Sequence, residues 1–321
     1  MQTSLTSPVL LNTSSDFIAK PFLKWAGGKR QLIEQLSSYF PEKIQTGKIK
    51  KYAEAFIGGG ALFFFIAQKY PTIERFFISD INRELILTYK TIQQDVDSLI
   101  LFLHDLEHTY LSKDEEERKV FFYQTRNEFN ANLNSIDFNN FQNNWIERAG
   151  IIIFLNRTCF NGLFRVNSKG EFNVPFGSYK KPKICDAENL LATSRILQRA
   201  EICLGNFSVS KNFIDKDTFV YFDPPYRPIS KTANFTSYSK DKFDDEEQKE
   251  LAKFYTMLHE KKGASLMLSN SETNDSFFDD LYSRFYIQRV NATRRINSNG
   301  KNRGKIKELL IMNYKDGANE I

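Results

Sequence analysis

The sequence has little of the material from which metal centres, disulfide frameworks and membrane spans are built. Its 321 residues include 3 cysteines and 3 histidines. Cys159, Cys185 and Cys203 are widely spaced, and the absence of a CxxC pair disfavours a zinc site. An odd cysteine count and the lack of a signal-peptide pattern predict a reducing, cytoplasmic location. The longest apolar runs, such as 61–67 and 150–155, are too short to span a bilayer.

Three other missing patterns narrow the chemistry. The sequence has no GxGxxG stretch, which disfavours a dinucleotide site. It has no Pro-Cys pair, which disfavours catalysis through a nucleophilic cysteine. His104 and His108 are four residues apart, but no glutamate follows the first histidine as in the paired zinc motif, so we expect no metal.

What is present is the composition of a soluble globular protein, with 41% hydrophobic and 26% charged residues. The length allows one large core domain with an inserted module. A formal net charge of +5 permits a nucleic-acid partner without requiring one.

Strand and helix patterns alternate in two separated parts of the chain. Helix patterns cover 61–69 and 83–94, and the stretch 95–155 is helical and polar. From 156 to 182 the sequence favours loops and a hairpin. The charge run at 113–119 is typical of a solvated helix face. Strand patterns are found at 51–57, 73–79, 219–222, 265–269, 285–291 and 308–312.

This order predicts a mixed, mainly parallel α/β sheet interrupted by a mostly helical insert. We expect a flexible N-terminal extension at 1–19, a core domain formed by 20–94 and 184–321, and an insert at 95–183.

The first candidate site is a glycine turn at 55–60, between a strand pattern and a helix pattern. Glycine lets the backbone approach a ligand closely and tolerates positive φ. The next strand ends near Asp80, where a carboxylate can accept hydrogen bonds from ribose hydroxyls. The alternative is a plain turn with a helix N-cap.

The second candidate site is the sequence Asp-Pro-Pro-Tyr at 223–226, directly after the apolar run 218–222. Consecutive prolines end the strand and fix the chain direction. The Asp223 carboxylate and the Pro224 carbonyl can each accept one N–H of an amino group, and Tyr226 can stack on a base. The alternative is a turn that only terminates the strand.

A third element is the loop at 22–29, which contains one tryptophan, two glycines and two lysines. Such a loop can place an aromatic ring and an ammonium group against a ligand. Its alternative interpretation is a surface loop anchored by a buried tryptophan.

These motifs resemble those of the Dam-type DNA adenine-N6 methyltransferases, the D12 class within the alpha group of amino methyltransferases. The resemblance covers about 21–314 and has the family's motif order. It rests on KWAGGK at 24–29, AFIGGG at 55–60, Asp80, NRTCFNGLFR at 156–165, GEFNVPFGSYKKP at 170–182, DPPY at 223–226, TANFTSY at 232–238 and the basic stretch 294–310.

The resemblance implies an S-adenosylmethionine-dependent methyltransferase fold, with 95–183 as the target-recognition insert. It implies that the following residues bind the cofactor: Trp25, Lys29, Phe56, Gly58, Asp80 and Asp223. Asp223 would also contact the target base, together with Pro224 and Tyr226 as the catalytic group.

The resemblance also implies a DNA-binding set. Lys24 resembles a base-contacting lysine, and Arg165 resembles an arginine that reads guanine, which is the commonest specific base contact. Phe160, Asn161 and Leu163 match positions that enter the base stack beside an extruded base, and Pro175 matches a position that packs on the recognised bases. Tyr238, Arg294 and Arg295 complete the set, the two arginines as phosphate contacts.

The expected activity is transfer of a methyl group to N6 of adenine in double-stranded DNA, with GATC as the first choice of site. Base flipping and direct in-line displacement, acting through positioning and electrostatics, form the favoured mechanism. We expect a monomer that associates with the nucleoid through DNA and no membrane partner. The alternatives are an N4-cytosine DNA methyltransferase and an inactive relative that only binds DNA.

Overall fold

The computed structural model describes residues 18–27, 29, 32–227, 243–273, 275–293 and 305–315. Its strands are β1 Lys51–Glu54, β2 Arg75–Asp80, β3 Ala200–Leu204, β4 Thr218–Phe222, β5 Ser265–Ser271, β6 Tyr286–Thr293 and β7 Lys305–Met312. Its helices are α1 Ile33–Ser37, α2 Glu42–Gln45, α3 Ala61–Lys69, α4 Arg83–Gln94, α5 Val96–Leu111, α6 Glu115–Ala131, α7 Asn144–Thr158, α8 Ala187–Leu197, α9 Asp245–Lys262 and α10 Phe277–Leu281. Short 3-10 turns lie at Phe160–Gly162 and Phe207–Asn212.

The strands form one seven-stranded sheet in the order β3-β2-β1-β4-β5-β7-β6. The first five strands of this order pair in parallel, whereas β7 pairs antiparallel with both β5 and β6. The predicted fold class, a mixed and mainly parallel α/β sheet of the methyltransferase type, is therefore confirmed.

Both faces of the central strands are buried, because alternate residues of these strands enter different apolar clusters. On one face Tyr52 and Tyr221 pack with α3, α4, α7 and α8. On the other face Ala53 and Val220 pack with α9 and α10. All five residues of β4 are buried, which explains why this central strand has a continuous apolar run in the sequence.

The chain order reverses between β1 and β4. The path from β1 leads outward to β2 on one side, whereas β4 pairs with the other side of β1 and leads to β5. In open α/β sheets, ligands bind at such a reversal, beyond the carboxyl ends of the strands. Asp223 follows β4 at this position, so the topology places the predicted catalytic residue at the switch point.

The helices of the predicted insert pack directly on the sheet's own helices. Helix α7 contacts α4, and α5 contacts α8. Arg148 of α7 forms a buried two-pronged ion pair with Glu84 of α4, with nitrogen–oxygen distances of 2.6 and 3.0 Å. Geometry of this kind offsets part of the cost of burying both charges. Whether 95–183 is a separate domain stays a prediction.

Ala19, the last residue of the predicted extension, is buried, and its backbone N donates to Gln68 Oε1. The rest of that segment up to residue 17 lies outside the described residues. Within the described part of the chain, no helix has both the length and the apolar character that crossing a membrane requires.

Candidate active site

The glycine turn lies at the carboxyl edge of the sheet, between β1 and α3. Gly58 and Gly60 have φ values of +47° and +71°, in the left-handed region that glycine enters at little cost. A Cβ atom at Gly60 would lie 2.5 Å from Tyr89 Oη, and one at Gly58 would lie 2.9 Å from Trp25 Cδ1. Glycine is therefore required both for the backbone conformation and for the packing around it.

Asp80 ends β2 and is connected to this turn. Gly58 N donates to Asp80 Oδ2 at 3.1 Å, and Asn82 N donates to Asp80 Oδ1 at 2.9 Å. The N-cap of α4 is Asn82, whose side chain accepts from Leu85 N. The helix-cap interpretation therefore applies to Asn82 and not to Asp80. Burial raises the pKa of Asp80, although these N–H donors oppose the rise. The next residue, Ile81, has an exposed apolar side chain.

The loop at 22–29 packs over the glycine turn from the side of the predicted insert. The Trp25 ring stacks on Phe164, with 5.2 Å between ring centroids and 21° between planes. A Cβ atom placed on Gly59 would lie 3.2 Å from the Cβ of Trp25. Trp25 is half-buried, so it is a packing anchor that keeps part of its surface accessible.

Lys29 lies at the centre of a charged group. Its Nζ is 3.1 Å from Glu308 Oε2 and 3.4 Å from Asp223 Oδ1, and it sits 4.4 Å from the centroid of the Tyr226 ring. Only 7% of the Lys29 side chain and 3% of the Glu308 side chain are exposed. In such a buried position the attraction between the charges is strong, and removing one of them leaves another uncompensated.

Asp223 is held by a hydrogen bond from a serine of the neighbouring strand β5, and a tyrosine of the preceding strand β4 contacts the same serine. Ser269 of β5 donates a hydrogen bond to Asp223 Oδ1 at 3.0 Å, and Tyr221 Oη lies 2.9 Å from the same serine oxygen. Burial raises the pKa of Asp223, the Lys29 ammonium opposes that rise, and the Glu308 carboxylate adds to it. Lys29, with a smaller contribution from the Ser269 hydrogen bond, therefore favours the ionised form of Asp223.

Two carboxylates of this group were not singled out in the sequence. Glu54 ends β1 and accepts a hydrogen bond from Tyr52 Oη at 2.7 Å. Burial raises the pKa of Glu54 to about 8, the Tyr52 hydrogen bond opposes this, and the Asp223 charge adds to it. Glu308 lies in β7. The sequence signal for both is a single acidic residue within an apolar strand pattern, in KYAEAF at 51–56 and in KELLIM at 307–312. An acidic residue is rare in a buried strand unless it has a partner.

The predicted stack-entering residues occupy an exposed turn after α7. Phe160 is 54% exposed, and Asn161 is exposed and adopts a φ of +59°. Leu163 differs, because it is half-buried and packs against the core. Pro175 is exposed beside this turn, and its carbonyl accepts from Phe160 N at 2.8 Å. The structure therefore brings Phe160, Asn161 and Pro175 together at the surface and turns Leu163 inward.

Arg165 lies on the short hairpin that follows. Its Nε donates to Asn173 Oδ1 at 2.7 Å, and the hairpin is closed by bridges between Val166 and Phe172 and between Cys159 and Phe176. Lys24 is exposed near the same turn, with its Nζ 5.5 Å from the centroid of the Tyr179 ring. Tyr238, Arg294 and Arg295 lie outside the described residues.

Phe56 lies beside the glycine turn, with its ring centroid 5.5 Å from that of Phe243 and 6.1 Å from that of Phe207.

Cys159, which directly precedes the exposed turn Phe160–Gly162, is buried. Burial raises the pKa of its thiol to about 11, so the nucleophilic thiolate is scarce at neutral pH.

Comparison with known proteins identifies the family of the chain. The family described as D12 class N6 adenine-specific DNA methyltransferase matches residues 25–296. The Type II methyltransferase M.MjaIII of Methanocaldococcus jannaschii is 51% identical over 296 residues, which are 92% of this chain and 99% of that protein. The Type II methyltransferase M1.LlaDCHI of Lactococcus lactis subsp. cremoris is 37% identical, over 92% and 95% of the two chains. The DNA adenine methylase of Escherichia coli K12 is 34% identical, over 93% and 96%.

Proposed function

The chain belongs to the D12 class of N6 adenine-specific DNA methyltransferases, and on that premise we propose that it transfers a methyl group from S-adenosylmethionine to N6 of a flipped adenine in double-stranded DNA. The observation that carries this proposal is the arrangement at the switch point of the sheet. There the loop at 22–29 connects the two motifs, because Trp25 contacts the glycine turn and Lys29 contacts Asp223 and Tyr226. The names of the type II relatives support a role in restriction-modification.

The residues at the carboxyl edge fit a nucleoside that carries a charged amino-acid chain. Asp80 offers carboxylate oxygens to ribose hydroxyls, and the exposed side chain of Ile81 and the Phe56 ring offer apolar surface to a purine. Gly58 lets the backbone pass close to the ligand. We assign Trp25 and Lys29 to the wall of the same pocket. When bound, S-adenosylmethionine would supply an electrophilic methyl group whose bond electrons remain on sulfur as the methyl leaves.

We place the target adenine at Asp223, Pro224 and Tyr226. The Asp223 carboxylate and the Pro224 carbonyl each accept one N–H of the amino group, which leaves the nitrogen lone pair to form the new bond to carbon. The proton that N6 then gives up passes to Asp223. Ser269 and Lys29 fix the Asp223 carboxylate before the base arrives, and such preorganisation is the largest contribution to many enzymatic rates.

We assign the reading of DNA to the exposed turn and hairpin. Phe160 and Asn161 would fill the gap that the flipped base leaves, and Pro175 would pack on the neighbouring bases. Lys24 and Arg165 would contact base edges, with Arg165 on guanine. These assignments support GATC as the recognised sequence. The second choice is a longer recognition sequence that contains GAT.

The test combines the modified base with its sequence context. Duplex DNA incubated with the enzyme and labelled S-adenosylmethionine is digested to nucleosides and separated by mass. We expect label in N6-methyladenine, and single-molecule sequencing should locate it in GATC. Label in N4-methylcytosine, or no transfer by a folded enzyme, would refute the proposed reaction. A modified motif without GAT would refute only the proposed recognition.

A further inference from the structure

The buried side chain of Asn156 joins two segments that meet at the proposed DNA surface. Asn156 lies near the end of α7 and is fully buried. Its Oδ1 accepts from Lys24 N at 2.8 Å, and its Nδ2 donates to Lys24 O at 3.0 Å and to Gly162 O at 2.9 Å. One amide therefore fixes both backbone groups of Lys24 and the last residue of the exposed turn Phe160–Gly162.

The contact between these two segments is unusually close. A Cβ atom on Gly162 would lie 2.4 Å from Lys24 Cδ and 3.3 Å from Lys24 Cβ. Gly162 has a φ of +65°, so it permits both the turn and the passage of the lysine side chain across it. The Lys24 side chain therefore rests on the turn that carries Phe160 and Asn161.

The amide chemistry at this position is specific. The three bonds need one acceptor and two donor hydrogens on a single planar group, which asparagine supplies. Aspartate of the same shape cannot donate to the two carbonyl groups, and an alanine would remove the partner of the buried Gly162 O and of the partly buried Lys24 N and O. Unpaired buried polar groups are costly, so the backbone would move to find other partners.

The chain contains a matched clamp elsewhere. Asn189 of α8 is also buried, its Oδ1 accepts from Lys20 N at 2.8 Å, and its Nδ2 donates to Lys20 O at 3.0 Å. The two clamps hold the same N-terminal segment at positions four residues apart. They differ in one respect, because Asn156 also binds Gly162 of the exposed turn.

We propose that Asn156 is a positioning residue for sequence recognition, which sets the Lys24 ammonium and the Phe160–Gly162 turn in one fixed register on the DNA. This proposal rests on the proposed function, and it adds a residue that need not touch DNA. Loss of the clamp separates the base-contacting lysine from the turn that enters the stack. Discrimination between cognate and altered sites should fall, while the pocket for the methyl donor stays intact.

The experiment compares Asn156→Asp with Asn189→Asp in the full-length enzyme. The substrates are a duplex that carries the motif modified by the wild-type enzyme and duplexes with one base pair of that motif changed. We expect both variants to lose thermal stability to a similar degree and to bind S-adenosylmethionine as the wild type does in calorimetric titration. Only Asn156→Asp should lower the cognate-to-altered ratio of kcat/KM, by about 10-fold or more.

A second variant reaches the same contact from the other side and keeps the test decisive if Asn156→Asp does not fold. Gly162→Ala leaves Asn156 in place but pushes the Lys24 side chain from the turn, and it should lower discrimination in the same direction. A wild-type ratio in a folded variant of either kind, or an equal loss in Asn189→Asp, would overturn the positioning role. Failure of the proposed function is a different result, since the wild-type enzyme would then produce no N6-methyladenine.

Discussion

The proposed catalytic edge of the sheet and the proposed recognition turn, Phe160–Gly162, are held in opposite ways. At the catalytic edge, charged side chains are buried and bind one another: Lys29 contacts Glu308 and Asp223 across three separate segments. At the recognition turn, the side chains of Phe160 and Asn161 are exposed, and the backbone beneath them is held by hydrogen bonds.

The difference fits the roles that we propose for the two regions. A site that orients one amino group gains from fixed charges in a medium of low dielectric constant. A surface that reads DNA must leave its side chains accessible and fix only the backbone that carries them. Substitutions at the catalytic edge should therefore change turnover, ligand affinity or pH dependence, whereas substitutions at the turn should change the choice of sequence.

The largest effect is expected from Asp223→Ala. Turnover should fall by at least about 10²–10³-fold, the typical effect of losing one preorganised polar contact, and further because Asp223 is proposed to contact two ligands. The protein should remain folded, because Lys29 keeps Glu308 as its partner. Single-turnover methylation measures the loss, and Asp215→Ala, a carboxylate paired with Lys51 before β4, is the control. Near-normal methylation by folded Asp223→Ala would sink the assignment.

Asp80→Ala should weaken binding of S-adenosylmethionine by about 1.5–3 kcal/mol, the usual effect of losing hydrogen bonds to a charged group. Calorimetric titration measures this affinity. The matched control is Asn82→Ala, which removes the cap of α4 and should cost about 1 kcal/mol of stability with unchanged affinity. Equal affinities in Asp80→Ala and the wild type would mean that Asp80 only braces the glycine turn.

Arg165→Ala should lower the free energy of discrimination between guanine and other bases by about 1–3 kcal/mol at one position of the site. Rates on duplexes that differ at single positions measure this pattern. Arg118→Ala is the control, because Arg118 binds the backbone carbonyls of Tyr110, Leu111 and Lys180 and should affect stability alone. An equal loss at every site variant would contradict direct readout by Arg165.

The last prediction is a difference in the pH dependence of stability between the wild type and Glu54→Gln. Burial raises the pKa of Glu54 from 4.5 to about 8, so the folded protein binds this proton more tightly than the unfolded chain. The resulting stability is complete below about pH 4.5 and is lost as the pH rises to about 8. In this range the free energy of unfolding of the wild type should therefore fall with rising pH more steeply than that of Glu54→Gln, by up to about 1.4 kcal/mol per pH unit. Parallel melting-temperature curves would argue against a protonated Glu54.

Local sequence pattern determined several elements of the fold. The predicted helices at 61–69 and 83–94 coincide with α3 and α4, because a glycine turn and an asparagine cap mark their starts. The strand patterns found six of the seven described strands, with ends shifted by a few residues. Strand β3 was missed, since it is a short edge strand with exposed positions and carries a weak apolar pattern.

The sequence by itself also determined the three motifs on which the proposed site rests, because a glycine turn, a strand-end carboxylate and a proline pair act through their immediate neighbours. Only the tertiary structure decided how those motifs combine. Lys29 and Glu308 are 279 residues apart in the chain, and no local pattern links them. The insertion of β7 between β5 and β6 brings Glu308 to the switch point, and the packing of α7 under the N-terminal loop brings Asn156 to Lys24. Contacts of this kind form only when long segments of the chain close around a common core. Local sequence patterns therefore do not predict which distant residues come into contact.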